Sequence, residues 1–213
     1  MSTIKVHYFD GYGAADQIRA LLAHAKVPFE DVRYTREEWG AVKESGKFEF
    51  KQVPVLEVDG KFYAQTISIL RMLGKQHGYY TEDPAVNYRI DSTIDALGDL
   101  KQAMGRFAFE QDEEKKKAGF HNFIENVFPP WATAIEKRLA ANSSPHHAVG
   151  DKTTIADFAL GGWAYSCVYN DACPPHAIFQ EAVGKFPHLQ AYLVHLGEHE
   201  LKEHLTDRKP SPF

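Results

Sequence analysis

The stretch from Gln52 to Thr66 constrains this chain more than any other, because fifteen residues join an unpaired backbone edge, a tight hairpin and a helix start. Val53-Pro54 precedes the strand Val55-Leu56-Glu57-Val58. Proline has no N–H and restricts the residue before it, so Val53 keeps its own N–H and C=O for something other than the sheet. Asp59-Gly60, between that strand and Lys61-Phe62-Tyr63-Ala64, predicts a hairpin closed by a type I′ turn. Thr66 is the expected N-cap of a helix whose apolar residues Ile67, Ile69, Leu70 and Leu73 share a face. The free N–H groups and positive dipole end of that helix can receive a carboxylate. A small acidic peptide is the ligand that fits all three features.

Upstream, Ile4, Val6 and Tyr8 alternate with polar residues, as a strand requires. Ile18, Leu21, Leu22 and Ala25 recur at helical spacing between Ala14 and Lys26, and Phe29 to Tyr34 reads as a second strand. Trp39 to Lys51 reads as a polar, irregular stretch. The resulting order, βαβ followed by ββα, predicts a thioredoxin-like α/β domain over residues 1–76 with one mixed four-stranded sheet.

Residues 77–84 read as a linker, and 85–213 as an all-helical domain. Ile90, Ile94, Leu97, Leu100 and Met104 form one helical face; Phe120, Phe123, Ile124 and Val127 belong to a second helix expected to bend at Pro129-Pro130. Thr154 and Asp157 form a capping box, with Asp in place of Glu, opening an apolar helix through Trp163. Phe186-Pro187 introduces what reads as the last helix, carrying Leu189, Tyr192, Leu193 and Leu196.

A formal net charge of −5 argues against nonspecific binding to nucleic acid or to anionic membranes, since a phosphate-tracking surface needs excess lysine and arginine. The opening residues carry no apolar signal region and no 18-residue apolar run occurs, so a cytoplasmic location is expected. Cys167 and Cys173 are the only cysteines, and their spacing fits neither a zinc knuckle nor a CxxC pair; both are expected to be reduced and structural.

Gly11-x-Gly13-x-x-Asp16 partly imitates a dinucleotide fingerprint, but Asp16 replaces the third glycine and would face a pyrophosphate. No metal is expected either. His195 and His199 share a helix face, yet His199 and His204 are one position too far apart for a zincin pair. Glu113-Glu114-Lys115-Lys116-Lys117 reads as a solvated helix start.

Tyr8 remains, at the carboxyl end of the first strand, where open α/β sheets gather ligands and where its hydroxyl can share a cleft with Val53 and Thr66. Tyr-Phe-Asp-Gly-x-Gly-x-Ala-x-x-Ile-Arg at 8–19, Trp39, Lys43, Gln-Val-Pro at 52–54, Gln65-Thr66, Thr154-x-x-Asp157 and the ending Pro-Ser-Pro-Phe together resemble the cytosolic glutathione transferases, most of all the sigma class with its helminth enzymes and prostaglandin D synthase relatives. The likeness runs over essentially the whole chain.

That resemblance implies conjugation of glutathione, the co-substrate, to electrophilic and mostly apolar small molecules. It implies that Tyr8 donates its O–H to the glutathione sulfur. Val53, before a cis Pro54, would pair with the cysteinyl backbone, Gln65 and Thr66 would hold the γ-glutamyl end, and Trp39, Lys43 and Gln52 the glycyl carboxylate. Asp99 would reach the neighbouring subunit's site in a homodimer. Phe9, Gly13, Met104, Arg106 and Tyr165 are the implied electrophile pocket. Three positions depart from the family: Ala14 and Tyr12 stand where arginines are common, and Arg106 stands near a tryptophan of the prostaglandin synthase. Alternatives are a glutathione-dependent endoperoxide isomerase and a low-turnover carrier or crystallin-like protein.

Overall fold

Alternation at Ile4, Val6 and Tyr8 becomes strand β1 (Ile4–Phe9) in the computed structural model, which describes residues 2–212. Met1 and Phe213, the last residue of the Pro-Ser-Pro-Phe ending, lie outside the described residues. β1 pairs in parallel with β2 (Glu30–Tyr34) and antiparallel with β3 (Val55–Val58), and β3 pairs antiparallel with β4 (Lys61–Ala64). The sheet order is β2-β1-β3-β4. Asp59 and Gly60 both adopt positive φ, 49° and 79°, as a type I′ turn demands.

A short 3-10 turn, Gly13–Ala15, leads into α1 (Asp16–His24), which buries Ile18, Leu21 and Leu22 against the sheet and the helical half. Two expectations in this half need correction. The stretch expected to be irregular from Trp39 contains α2 (Arg36–Glu44), which buries no residue and so shows no clear apolar stripe. Its order comes from a capping box instead: the Glu38 N–H donates to Thr35 Oγ1 at 3.2 Å and the Thr35 N–H to Glu38 Oε2 at 2.8 Å. Thr66, expected as an N-cap, is the first residue of α3 (Thr66–His77), and Gln65 occupies the cap with φ 70° and no side-chain cap bond.

In the helical half, α4 (Pro84–Ala108) starts at Asp83, whose carboxylate accepts from the Ala85 N–H at 2.8 Å, and it buries Ile90, Ile94, Leu97 and Leu100. α5 (Glu113–Asn122) runs through a π turn, Phe123–Val127, into α6 (Phe128–Ala140). The irregularity expected at Pro129-Pro130 thus falls just before them, since proline in a first turn forfeits no helical bond. α7 (Ile155–Cys167) is the buried central helix, followed by α8 (His176–Gly184), α9 (Pro187–Glu198) and α10 (Lys202–Asp207). α9 is therefore not the last helix; α10, six residues long, is too short for periodicity to register.

The two halves share a continuous apolar core in which α1 packs on α7. Gly162 permits that approach, because a Cβ there would lie only 3.0 Å from the Gln17 Cβ.

Candidate functional site

The register places one row of residues, Val32, His7, Val55 and Ala64, across the sheet. Tyr8-Phe9, Val53-Pro54 and Gln65-Thr66 therefore leave the sheet at one common end. The Val53–Pro54 bond is cis, and neither the N–H nor the C=O of Val53 has a hydrogen-bond partner among the described residues. At α3 no side chain caps the helix start, so its first N–H groups are open to a ligand. Gln65, a non-glycine residue at positive φ, stores roughly 1–3 kcal/mol of backbone strain at that same point.

The Tyr8 hydroxyl accepts a hydrogen bond from the Ala14 N–H at 3.1 Å, which leaves its own proton available to a ligand. Gly13 (φ 43°) makes room for it, because a Cβ there would overlap the hydroxyl and lie 2.9 Å from Tyr8 Cε1. Phe9 meets the Tyr8 ring edge-on at 5.5 Å and Trp39 at 5.5 Å, which brings Trp39 of α2 to the same end of the sheet. Lys43, one turn further along α2, and Gln52 are exposed.

A cleft of about 370 Å³ opens between α1, α3, α4 and α7, lined among others by Gln17, Ile67, Asp99 and Lys101. Asp99 is exposed and lines the same cleft as Ile67, the second residue of α3. Burial holds the Lys101 ammonium below the ordinary lysine range. The electrophile-pocket candidates separate into two groups. Phe9 and Gly13 flank Tyr8. On the helical side, Met104 Sδ accepts from Trp163 Nε1 at 3.4 Å and Tyr165 donates to the Leu193 carbonyl at 3.1 Å, while Arg106 is exposed. Burial pushes the Tyr165 hydroxyl up to about 12.

The dinucleotide imitation dissolves: Asp16 is buried and bonded to His204 Nε2 and Arg208 Nη1, each at 2.8 Å. Burial alone would raise its pKa, and those two partners hold it below the usual carboxylate value. The His195 and His199 ring centroids lie 4.1 Å apart with the planes tilted by 31°, and the His146 ring stacks on His195 at 4.0 Å. Among the described residues no group of three or more His, Cys, Asp or Glu is arranged to hold a metal. Cys167 and Cys173 are free thiols.

Comparison with known proteins gives this geometry a family. A profile described as glutathione S-transferase, N-terminal domain, matches residues 4–75, and one described as glutathione S-transferase, C-terminal domain, matches 98–208. The chain belongs to the glutathione S-transferase family. A glutathione S-transferase of Anopheles gambiae is 34% identical over 162 residues, 76% of this chain and 78% of its own. A solved Nu-class transferase from Haemonchus contortus aligns over 100% of both chains at 29% identity, with a TM-score of 0.86. The structure of prostaglandin synthase D of Nilaparvata lugens covers 97% of this chain and 98% of its own at 26% identity, with a TM-score of 0.82.

Two features of this transferase have no signature in composition or period. One is the strained backbone of Gln65, at φ 70°. The other is Arg19, the last residue of the 8–19 motif. It is 1% exposed, donates to the Gly11 carbonyl at 2.6 Å and to Asp31 Oδ1 at 2.9 Å, and lies 5.8 Å from the Tyr8 ring centroid. An arginine between the core positions Ile18 and Leu21 was the available signal.

Proposed function

We propose that this transferase uses the Tyr8 hydroxyl to hold the sulfur of glutathione as thiolate, which then attacks electrophilic, largely apolar small molecules. The observation that carries the reading is the common end of the sheet, where a hydroxyl with its oxygen already satisfied, an unpaired Val53 backbone and an uncapped helix start occur together. The glutathione thiol proton is released to solvent. The Tyr8 O–H then donates to the sulfur, and each pKa unit of depression reflects about 1.4 kcal/mol of preference for the thiolate. The sulfur forms a C–S bond to the electrophile as a leaving group such as chloride departs with its electron pair. Proximity contributes the rest.

In this reading Val53 pairs with the cysteinyl backbone, Gln65 and Thr66 receive the γ-glutamyl end, and Trp39, Lys43 and Gln52 receive the glycyl carboxylate. Residues 1–76 bind glutathione. Residues 85–213 close the electrophile pocket, to which Met104, Arg106 and Tyr165 contribute from the helical side and Phe9 and Gly13 from beside Tyr8. We place the protein in the cytoplasm, as a sigma-like enzyme; no described helix is long and apolar enough to cross a membrane. The Nilaparvata lugens neighbour keeps endoperoxide isomerisation as a second reading, supported by its name and fold.

Turnover of a generic chlorinated aromatic with glutathione tests the reading, together with ultraviolet thiolate absorbance of the binary complex. Conjugation with thiolate present at neutral pH is expected. Thiolate without conjugation would favour the isomerase, and neither would favour a carrier.

We further place Asp99 in the partner subunit's site, meeting the γ-glutamyl ammonium of glutathione in a homodimer. Truncating one member of a desolvated charge pair costs roughly 2–5 kcal/mol, against under about 1 kcal/mol for an exposed pair. Asp99→Asn is expected to weaken glutathione at least about tenfold by calorimetric titration while gel filtration still gives a dimer. A monomeric parent, or unchanged affinity, would defeat the shared site.

A further inference from the structure

The loop that holds the Tyr8 hydroxyl is itself held from the far end of the chain. Its reacting part is short: Gly13 and Ala14, one leaving room for the hydroxyl and the other donating its N–H. Tyr12 and Asp16 stand on either side of Gly13–Ala15, and both are buried, at 3% and 1% exposure. Each is gripped by residues after α9. Arg208 lies 3.9 Å over the centroid of the Tyr12 ring, donates through Nη1 to Asp16 Oδ2 at 2.8 Å, and through Nη2 to the Tyr165 carbonyl at 2.6 Å. His204 reaches Asp16 Oδ1 at 2.8 Å. The Ser211 N–H donates to the Tyr12 hydroxyl at 3.0 Å, and the Ser211 carbonyl accepts from Asn170 Nδ2 at 3.0 Å, which fastens this segment to the end of α7 as well.

We propose that Arg208, with the segment running from α10 to Ser211, is a positioning element for thiolate formation: it clamps both ends of Gly13–Ala15 so that the Ala14 N–H meets the Tyr8 hydroxyl. The proposal rests on the assignment of Tyr8 to the sulfur. The geometry also gives Tyr12 its task. A planar guanidinium stacks on a ring and forks to two acceptors at once, which an ammonium cannot do. In this chain the aromatic ring at position 12 receives the C-terminal segment, and the charge it meets comes from Arg208. Because the clamp is desolvated, its loss is not made good by water, and loop displacement follows. Displacement matters because catalytic geometry tolerates little: a shift of about 1 Å at a reacting group can cost on the order of a hundredfold.

The test compares Arg208→Lys, Tyr12→Phe and Tyr8→Phe. Arg208→Lys keeps the charge and removes the stack and the fork, so an effect from it is not simple loss of a cation. Tyr12→Phe removes only the acceptor for Ser211 and is the variant that folds if Arg208→Lys does not. The readouts are the thiol titration of the glutathione complex by ultraviolet absorbance, kcat and KM for conjugation, and the melting temperature. Arg208→Lys is expected to raise the thiol midpoint by roughly half a pH unit or more and to lower kcat about tenfold, with the glutathione KM within about twofold. Tyr12→Phe is expected to shift both in the same direction by less. A merely structural tail would lower the melting temperature and leave the titration of the folded protein unmoved; that result in whichever variants fold overturns the proposal. If Tyr8→Phe also leaves the titration unmoved, the Tyr8 assignment has fallen; if Tyr8→Phe moves it and the others do not, only the clamp has.

Discussion

Tyr8→Phe is expected to cut conjugation at neutral pH about a hundredfold while glutathione binding stays within about threefold. The asymmetry follows from where the hydroxyl sits. In the proposed arrangement the start of α3 and the residues around Trp39 meet the peptide's two carboxylates and the partner subunit's Asp99 its ammonium, so the hydroxyl is left with only the sulfur to act on. Its oxygen is already satisfied by the Ala14 N–H at 3.1 Å, which strengthens the remaining O–H as a donor. On the proposed reading, with Ala14 contributing no cation, the hydroxyl is expected to carry the thiolate more heavily than in a site that shares the task with an arginine. The mutant's bound thiol should titrate at higher pH, and activity should recover as pH is raised, because the thiol then ionises without the help of that hydrogen bond. Ultraviolet absorbance against pH measures it, and a titration curve identical to the parent's removes Tyr8 from the role. Leaving the Ala14 N–H without its acceptor should cost about 1 kcal/mol of stability, too little to confuse the two readouts.

Legibility in the sequence tracked burial and local chemistry. The hairpin was legible because Asp59-Gly60 is one of the few pairs that takes positive φ at two successive positions, and both residues do so. The core helices were legible where one face is buried and another wet, as in α1 and α4. α2 was not, because none of its residues is buried, although its capping box at Thr35 and Glu38 was available to a closer reading. The family was legible through the resemblance, which supplied the site residues proposed above. Its physical logic was not: the row of the sheet that sends Tyr8, Val53 and Gln65 out at one end depends on register, which no single segment encodes. Contacts between the loop at Tyr12 and the segment around Arg208 span almost the whole chain, and nothing local in either stretch announces the other.

Asp157 is where a single substitution is expected to damage stability most. Its carboxylate is fully buried at the start of α7 and accepts from the Ala148 N–H at 2.7 Å, the Thr154 N–H at 2.7 Å, the Thr154 hydroxyl at 2.9 Å and the Tyr192 hydroxyl at 2.8 Å. One side chain therefore closes the capping box, ties down the loop before α7 and reaches across to α9. Burial pushes its carboxyl above the ordinary range, against donors that all favour the ionised form. Asp157→Ala would strand several buried donors with no acceptor and leave a cavity too polar to collapse. Such changes cost roughly 3–5 kcal/mol, and in a chain of this length that corresponds to a fall in melting temperature of about ten degrees or more. Asp157→Asn should recover part of the loss, since its carbonyl oxygen can keep the Ala148 and Tyr192 donors while its amide turns toward Thr154 and offers the hydroxyl there a hydrogen instead of accepting one. Denaturant melts of parent and both variants decide the matter. A loss below about 1 kcal/mol in the alanine variant would mean that water reaches these groups and that α7 does not depend on its cap. Because Asp157 lies away from Tyr8 and the start of α3, kcat per folded molecule should be unchanged at low temperature, which separates a stability effect from damage to the site.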